Sequence, residues 1–234
     1  MAERRHARPM TDLVALKSAN AHRWATATPT RNFASIAREL IAPDAKARYR
    51  AVEALTGVPW AFIAVAHERE ASQNWNTHLA QGDPLHEVTR HVPIGEPAFA
   101  SWEDGAVDAL VHCPPHAALN KDWSIGGTLT MLEEYNGLKY ASYNRPSPYI
   151  WSGMSCYTTG KVLVDHGPIV EVADIQLGCA GLLRAMMAID PTITFAGAVP
   201  AAPTVHPQTI AEPRPLSDDA AFDAAAAASQ EADK

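Results

Sequence analysis

The sequence predicts a mainly α domain, 10–195, with a small irregular or β insertion after its central helix. Three observations carry this. The run Trp60-Ala-Phe-Ile-Ala-Val-Ala-His-Glu-Arg-Glu70 is apolar on nearly every side of a helix, so that helix must be buried. Leu177, Ala180, Leu183 and Met187 recur at helical spacing near the far end of the domain. Between the two, residues 73–100 lose helical patterning to recurrent Asn, Gly and Pro.

The elements can be justified in order. Thr11 or Asp12 can cap a first helix running to about Trp24, with Leu13, Leu16 and Ala19 on one side. Phe33 to about Ile41 reads as a second helix, stopped by Pro43. Asp44 is placed to cap a third through Leu55, closed by Gly57. Pro59 suits the first turn of the apolar helix 60–70. Within 73–100, His86–Val92 is short enough for a small hairpin. Helical pattern resumes where Ser101 caps a segment carrying Val107 and Leu110, and Pro114-Pro115 breaks it. Asp122 or Ser124 caps Ile125 to Tyr135, with Asn136-Gly137 as its C-terminal signature. Residues 141–171 read mostly as loop, and a last helix as about Ala173 to Ile189. The flanks carry no core signal. Residues 1–9 read as a disordered N-terminus, and 196–234 as an Ala/Pro-rich linker ending in a weak helix that joins the domain to something else.

Composition narrows the function classes. The chain has 234 residues, enough for one sizeable core. No apolar run approaches the roughly 18 residues of a membrane span, and the basic start leads into no apolar region of a secretory signal. Cys113, Cys156 and Cys179 are an odd, widely spaced set, so reduced thiols in a cytoplasmic product are expected. A net charge of −7 argues against nucleic acid as partner. No P-loop, dinucleotide fingerprint or nucleophile elbow occurs, and no cofactor is expected.

Glu70 is the first candidate for chemistry. On a helical wheel it shares a side with Ile63, Ala64 and His67, whereas Glu68 lies about 160° away, too far to share a site. Apolar surroundings and the helix C-terminus both disfavour its carboxylate, which should raise its pKa. Glycosidic bond cleavage needs such a carboxylic acid, still protonated near neutral pH, to protonate the leaving oxygen. The alternative is structural: a partner in Arg69, Arg90 or a backbone amide. A second carboxylate would activate water. Asp83, in the turn Gly82-Asp-Pro84, is the best placed, although an Asp before Pro commonly bonds its own backbone. Asp165 and Asp174 are weaker candidates. Sugars take aromatic faces and amide hydrogen bonds, which Tyr135-Asn136-Gly137 and Ser147-Pro-Tyr149-Ile-Trp151-Ser152 can supply. The structural alternative for these two segments is a helix end and aromatic loop packing. His67, His78, His86 and His91 lie close in sequence, but His67-Glu-Arg-Glu is not a zinc-protease motif and prolines interrupt His112-x-x-x-His116. No metal is expected.

The same residues resemble a known group. Arg69-Glu70-Ala71-Ser72 resembles the R-E-S motif ending the central helix of goose-type lysozymes and soluble lytic transglycosylases, and Glu-Glu-Tyr135-Asn136-Gly137 resembles their A-Y-N-A-G motif. An ordered series is similar to phage- and prophage-encoded lysozyme-like proteins. It comprises T-H-L-x-x-G-D-P-L from Thr77 to Leu85, T-x-H-V-P from Thr89 to Pro93, and W-E-x-x-A-x-D-A-L from Trp102 to Leu110. D-W-S from Asp122 to Ser124 and S-P-Y-x-W-S-G from Ser147 to Gly153 complete it, so the resemblance spans roughly 58–190. There are departures: Ala71 replaces the serine usual after the acid, and Gly160-Lys-Val-Leu-Val-Asp165 only approximates G-K-Y-V-A-D.

What the resemblance implies is a lysozyme-like fold cleaving the MurNAc–GlcNAc β-1,4 bond of peptidoglycan with Glu70 as general acid. It leaves the second carboxylate open, for which Asp83 is the candidate by its distance after Glu70, and the chain is expected to be a monomer. Tyr135, Asn136, Tyr149, Trp151, Thr77 and His78 become substrate contacts. A phage endolysin of this kind accumulates in the cytoplasm and reaches the wall through a partner such as a holin. Lytic transglycosylases on the same fold need no base, because the sugar's own 6-hydroxyl attacks. A zinc amidase or peptidase and a non-catalytic glycan-binding module are the rival readings. The net charge of −7 offers no long-range attraction to anionic wall polymers.

Overall fold

The computed structural model describes residues 11–80, 82–90, 94–95, 97–164 and 167–197. The chain divides into two units, Met1–Ala201 and Ala202–Lys234, and the elements below belong to the first. The N-terminal nine residues, the expected linker and weak helix beyond 197, and Asp165 and His91 lie outside the described residues.

Asp12 accepts hydrogen bonds from the amides of Val14 and Ala15 and so starts α1 (Leu13–Thr26). The short α2 (Ala34–Leu40) precedes α3 (Pro43–Thr56), which begins on proline and closes at a left-handed Gly57. Asp44 does not cap α3. It stands in the first turn, where a carboxylate favours the positive end of the helix dipole, because Pro43 already occupies the first helical position. Next comes α4 (Trp60–Ala71), buried without a break from Trp60 to Glu68. Around it pack α2, α3, α6 (Ile125–Tyr135) and α9 (Cys179–Ile189). Each wholly buried large apolar side chain, such as Phe62 or Ile63, contributes about 1.5–3 kcal/mol. The last turn of α4 is therefore held in place from several sides.

The remaining elements surround this centre. Ser101 caps α5 (Trp102–Val111) by accepting from the Asp104 amide, and Ser124 caps α6 through the Gly127 amide. The protein is mainly helical, and its one sheet among the described residues is a pair of two-residue strands, β1 (Lys161–Val162) and β2 (Ile169–Val170). They run antiparallel, Lys161 opposite Val170.

Three further sequence expectations are corrected. Of the segment expected as a hairpin, the described residues His86 to Arg90 form a turn and irregular chain with no strand pairing. The pairing in that region lies earlier, where Thr77 faces Pro84 and the Leu85 amide donates to Asn76 O at 2.8 Å. Residues 141–171 are less irregular than expected, for they complete α7 (Lys139–Ser142) and hold α8 (Pro148–Trp151) as well as β1 and β2. The last helix begins at Cys179, not near 173, because residues 174–178 are tied down by tertiary bonds: Ser152 Oγ donates to Asp174 O, and the Gly178 amide to Ser152 O. At the end of the described region, Ile193 and Phe195 are buried and the Ile125 amide donates to Ala196 O.

Candidate functional site

The chain reverses direction at the end of α4. Ser72 and Gln73 both take left-handed backbone conformations, with φ of 47° and 61°. The backbone then loops through 74–85 and returns. Gly82 (φ +72°) lies so near the helix end that a Cβ there would sit 3.4 Å from Glu70 O. A side chain at Gly82 would meet both an unfavourable backbone conformation and that carbonyl.

Glu70 faces α8 across this end. Tyr149 Oη donates to Glu70 Oε1 at 2.8 Å. Tyr149 is positioned by a close approach of backbones: a Cβ on Gly178 would fall 2.5 Å from Ile150 O and 2.6 Å from Ser152 N. Only glycine lets the chain entering α9 lie against α8 there. Burial pushes the Glu70 carboxyl up to about 7, against the opposing pull of the Tyr149 hydroxyl and the Arg69 charge. Yet Glu70 keeps some solvent exposure as a residue. The acid is thus largely desolvated although the residue as a whole is partly exposed. Tyr149→Phe removes the donor that favours the carboxylate, so the Glu70 carboxyl should titrate about one pH unit higher, as read by carboxyl NMR. A titration that stays in place would show that the hydroxyl does not tune this acid.

Beside this pair runs a groove of about 370 Å³. Tyr149, Asn136, Tyr140, Arg69, Lys139 and Lys161 are among its lining residues. The Glu70 carboxyl is not itself in the lining; it meets the groove through the Tyr149 ring. At the floor Asp174, whose side chain is 1% exposed, is shared by Arg69 at 2.9 Å and Lys161 at 2.8 Å. Burial alone would raise Asp174, but Arg69 and Lys161 outweigh it and hold the carboxyl below its ordinary range.

The other expected site residues are more scattered. Asn136 lines the groove and its amide approaches Ser147 Oγ at 3.5 Å. Tyr135 sits behind it, its hydroxyl donating to Leu79 O and its ring edge-on to Phe62. Trp151 is wholly buried in the core, so its ring presents no face to a ligand. His78 is buried against Phe99, and the Thr77 hydroxyl donates to Asn74 O. Asp83 is buried in its turn, where Oδ2 accepts from the Arg90 amide at 2.8 Å and its carbonyl accepts from the His78 amide at 2.7 Å. The structure therefore brings together Glu70, Tyr149 and, along the groove, Asn136. Asp83 Oδ2 reaches seven residues along the chain to the Arg90 amide, a longer tie than the local bond an Asp before Pro commonly makes.

Three of the described histidines, His67, His86 and His116, are engaged in the scaffold. His67 is wholly buried between Tyr49 Oη at 3.0 Å and Asn74 O at 3.1 Å, and packs among Trp75 and Trp102. Burial pushes it down to about 4. His86 bonds Phe99 O and His116 bonds Val111 O. Among the described residues no three His, Cys, Asp or Glu side chains gather as a metal site.

Sequence reasoning passed over Glu133. It is 2% exposed in α6, one turn after the buried Leu129, and that spacing was the available signal. Its Oε1 has no hydrogen-bond partner among the described residues. Burial pushes the carboxyl up to about 8, opposed by Arg23 and a bond from Ser147. Folding therefore favours the protonated form. Its share of stability is complete below the ordinary value of 4.5 and is lost as pH rises toward 8, at about 1.4 kcal/mol per pH unit. Glu133→Gln should flatten this decline, seen as a smaller difference in urea stability between about pH 5 and pH 8. Parallel wild-type and variant curves would contradict it.

No helix among the described residues is long and apolar enough to cross a membrane. Comparison of the chain with protein-family models, with curated proteins and with solved structures finds no match.

Proposed function

We propose that this protein is a peptidoglycan-cleaving muramidase of the endolysin type, with Glu70 as the general acid. The observation that supports the reading most is the pairing of Glu70 with Tyr149 beside a groove lined by amide and aromatic groups. A carboxyl held up to about 7 is substantially protonated at neutral pH. It donates that proton to the glycosidic oxygen as the bond breaks, and the resulting carboxylate is then stabilised by the Tyr149 hydroxyl and Arg69. Asn136 offers an amide to the sugar, while Tyr149, buried with Arg69 over its ring, holds the acid in place rather than presenting an open face. In this reading the protein accumulates in the bacterial cytoplasm and acts on the wall after release through a holin or similar partner.

One observation favours a second reading, lytic transglycosylation at the same site. Asp83 is the base candidate from the loop that follows Glu70, and its Oδ2 is engaged by the Arg90 amide. Attack by the sugar's own 6-hydroxyl needs no second carboxylate. Mass spectrometry of products from purified sacculi separates the outcomes: reducing muramic ends mean hydrolysis, and 1,6-anhydro ends mean transglycosylation. Release of amino groups without glycan cleavage, or no soluble product, would overturn both.

A further inference from the structure

The groove beside Glu70 carries a charge opposite to that of the molecule. The whole chain is at −7, yet the charged residues lining the groove are Arg69, Lys139 and Lys161 against Asp174 alone. Asp174 is already shared by Arg69 and Lys161, so one carboxylate faces two cations. Lys139 Nζ donates to Gly167 O, a neutral carbonyl that does not offset its charge. The Lys161 side chain is 33% exposed, and Asp174 occupies one of its three ammonium donors. Arg69 is different: its side chain is 7% exposed and bonds Leu177 O as well as Asp174, which makes it the fixed floor of the site. Asn136 lines the same groove, so the cations stand alongside an amide suited to a sugar.

We propose that Lys139 and Lys161 form a carboxylate-recognition site, so that this groove selects acidic amino-sugar glycans over neutral ones. The inference rests on the muramidase reading and names what its groove recognises: the carboxyl of the muramic lactyl ether, free or extended into a stem peptide. An ammonium facing a carboxylate across a half-enclosed groove gains more than at an open surface, because less water screens the pair. Discrimination comes from the neutral analogue, which leaves the lysines solvated but unpaired. The local excess of positive charge also supplies the attraction for wall polymers that the net charge withholds.

Titration calorimetry on the full chain tests this with three probes: a GlcNAc–MurNAc disaccharide with a free lactyl carboxyl, the same disaccharide bearing a dipeptide, and neutral chitobiose. Binding of an acidic probe at least about tenfold tighter than chitobiose, weakening with added salt, is expected. Preference for the free or the extended probe identifies which carboxyl is read. Lys139→Gln with Lys161→Gln should erase the preference, bringing the affinity for the acidic probes down to that for chitobiose in the same variant. Lys139→Gln alone, which touches no buried carboxylate, should reduce it and keeps the test interpretable if the double variant unfolds. Equal wild-type affinity for acidic and neutral probes, or a preference untouched by Lys139→Gln, overturns the proposal. Because binding is read without turnover, acidic selectivity in a protein that solubilises no sacculi would count against the muramidase reading alone.

Discussion

Glu70→Gln should lower the turnover of purified sacculi by about 10² to 10⁴-fold while leaving the helical circular dichroism unchanged. Glutamine is nearly isosteric and its amide oxygen still accepts the Tyr149 hydroxyl bond, so the end of α4 keeps its geometry. What it lacks is a proton to give. The wild-type pH profile carries the same information in another form. With the carboxyl at about 7, the protonated fraction falls roughly tenfold per unit above that value, and kcat/KM should do the same. In Glu70→Gln the residual rate should lose this limb. A variant that solubilises sacculi at the wild-type rate would remove Glu70 from the chemistry, whatever its environment.

The largest effect on stability is expected from Asp174→Asn. Its side chain is 1% exposed and answers two cations, one of them the buried Arg69. Removing one partner of a buried pair leaves the other charge uncompensated, at a cost of about 3–5 kcal/mol. For a domain of this size that is a fall in Tm on the order of 10 °C. The loss spreads to the candidate site, because the Asp174 backbone accepts from Ser152 and donates to Tyr157, and Ser152 ends the turn that carries Tyr149. Glu171→Gln is the control. It breaks the exposed pair with Arg145 and should leave Tm nearly unchanged. Equal melting shifts in the two variants would show that the Asp174 cluster does not hold this part of the fold. The acid side of the stability curve should also report Asp174: its lowered pKa contributes stability above the ordinary value of 3.8, and that share disappears as pH falls through the folded value.

The local signals that were legible are those with short-range causes. Asp12, Ser101 and Ser124 cap helices because a side-chain oxygen satisfies amides two or three residues on, a relation contained in a few adjacent letters. The burial of α4 came from an apolar surface with no polar side to leave in water. The raised pKa of Glu70 was legible for the same reason, since apolar neighbours within its own helix imply desolvation.

What tertiary structure alone decided depends on residues distant in the chain. Tyr149, rather than Arg69 or Arg90, bonds Glu70 because Gly178 lets two backbones meet. The burial of Asp174 depends on Arg69 and Lys161, which no local pattern connects to it, and the late start of α9 on bonds from Ser152. Trp151 sits in the core although its aromatic loop suggested a sugar contact, since composition does not say which way a ring turns. The positive groove in an acidic protein is of the same kind: net charge is a sum over the chain, and a binding site responds to the few charges that folding gathers around it.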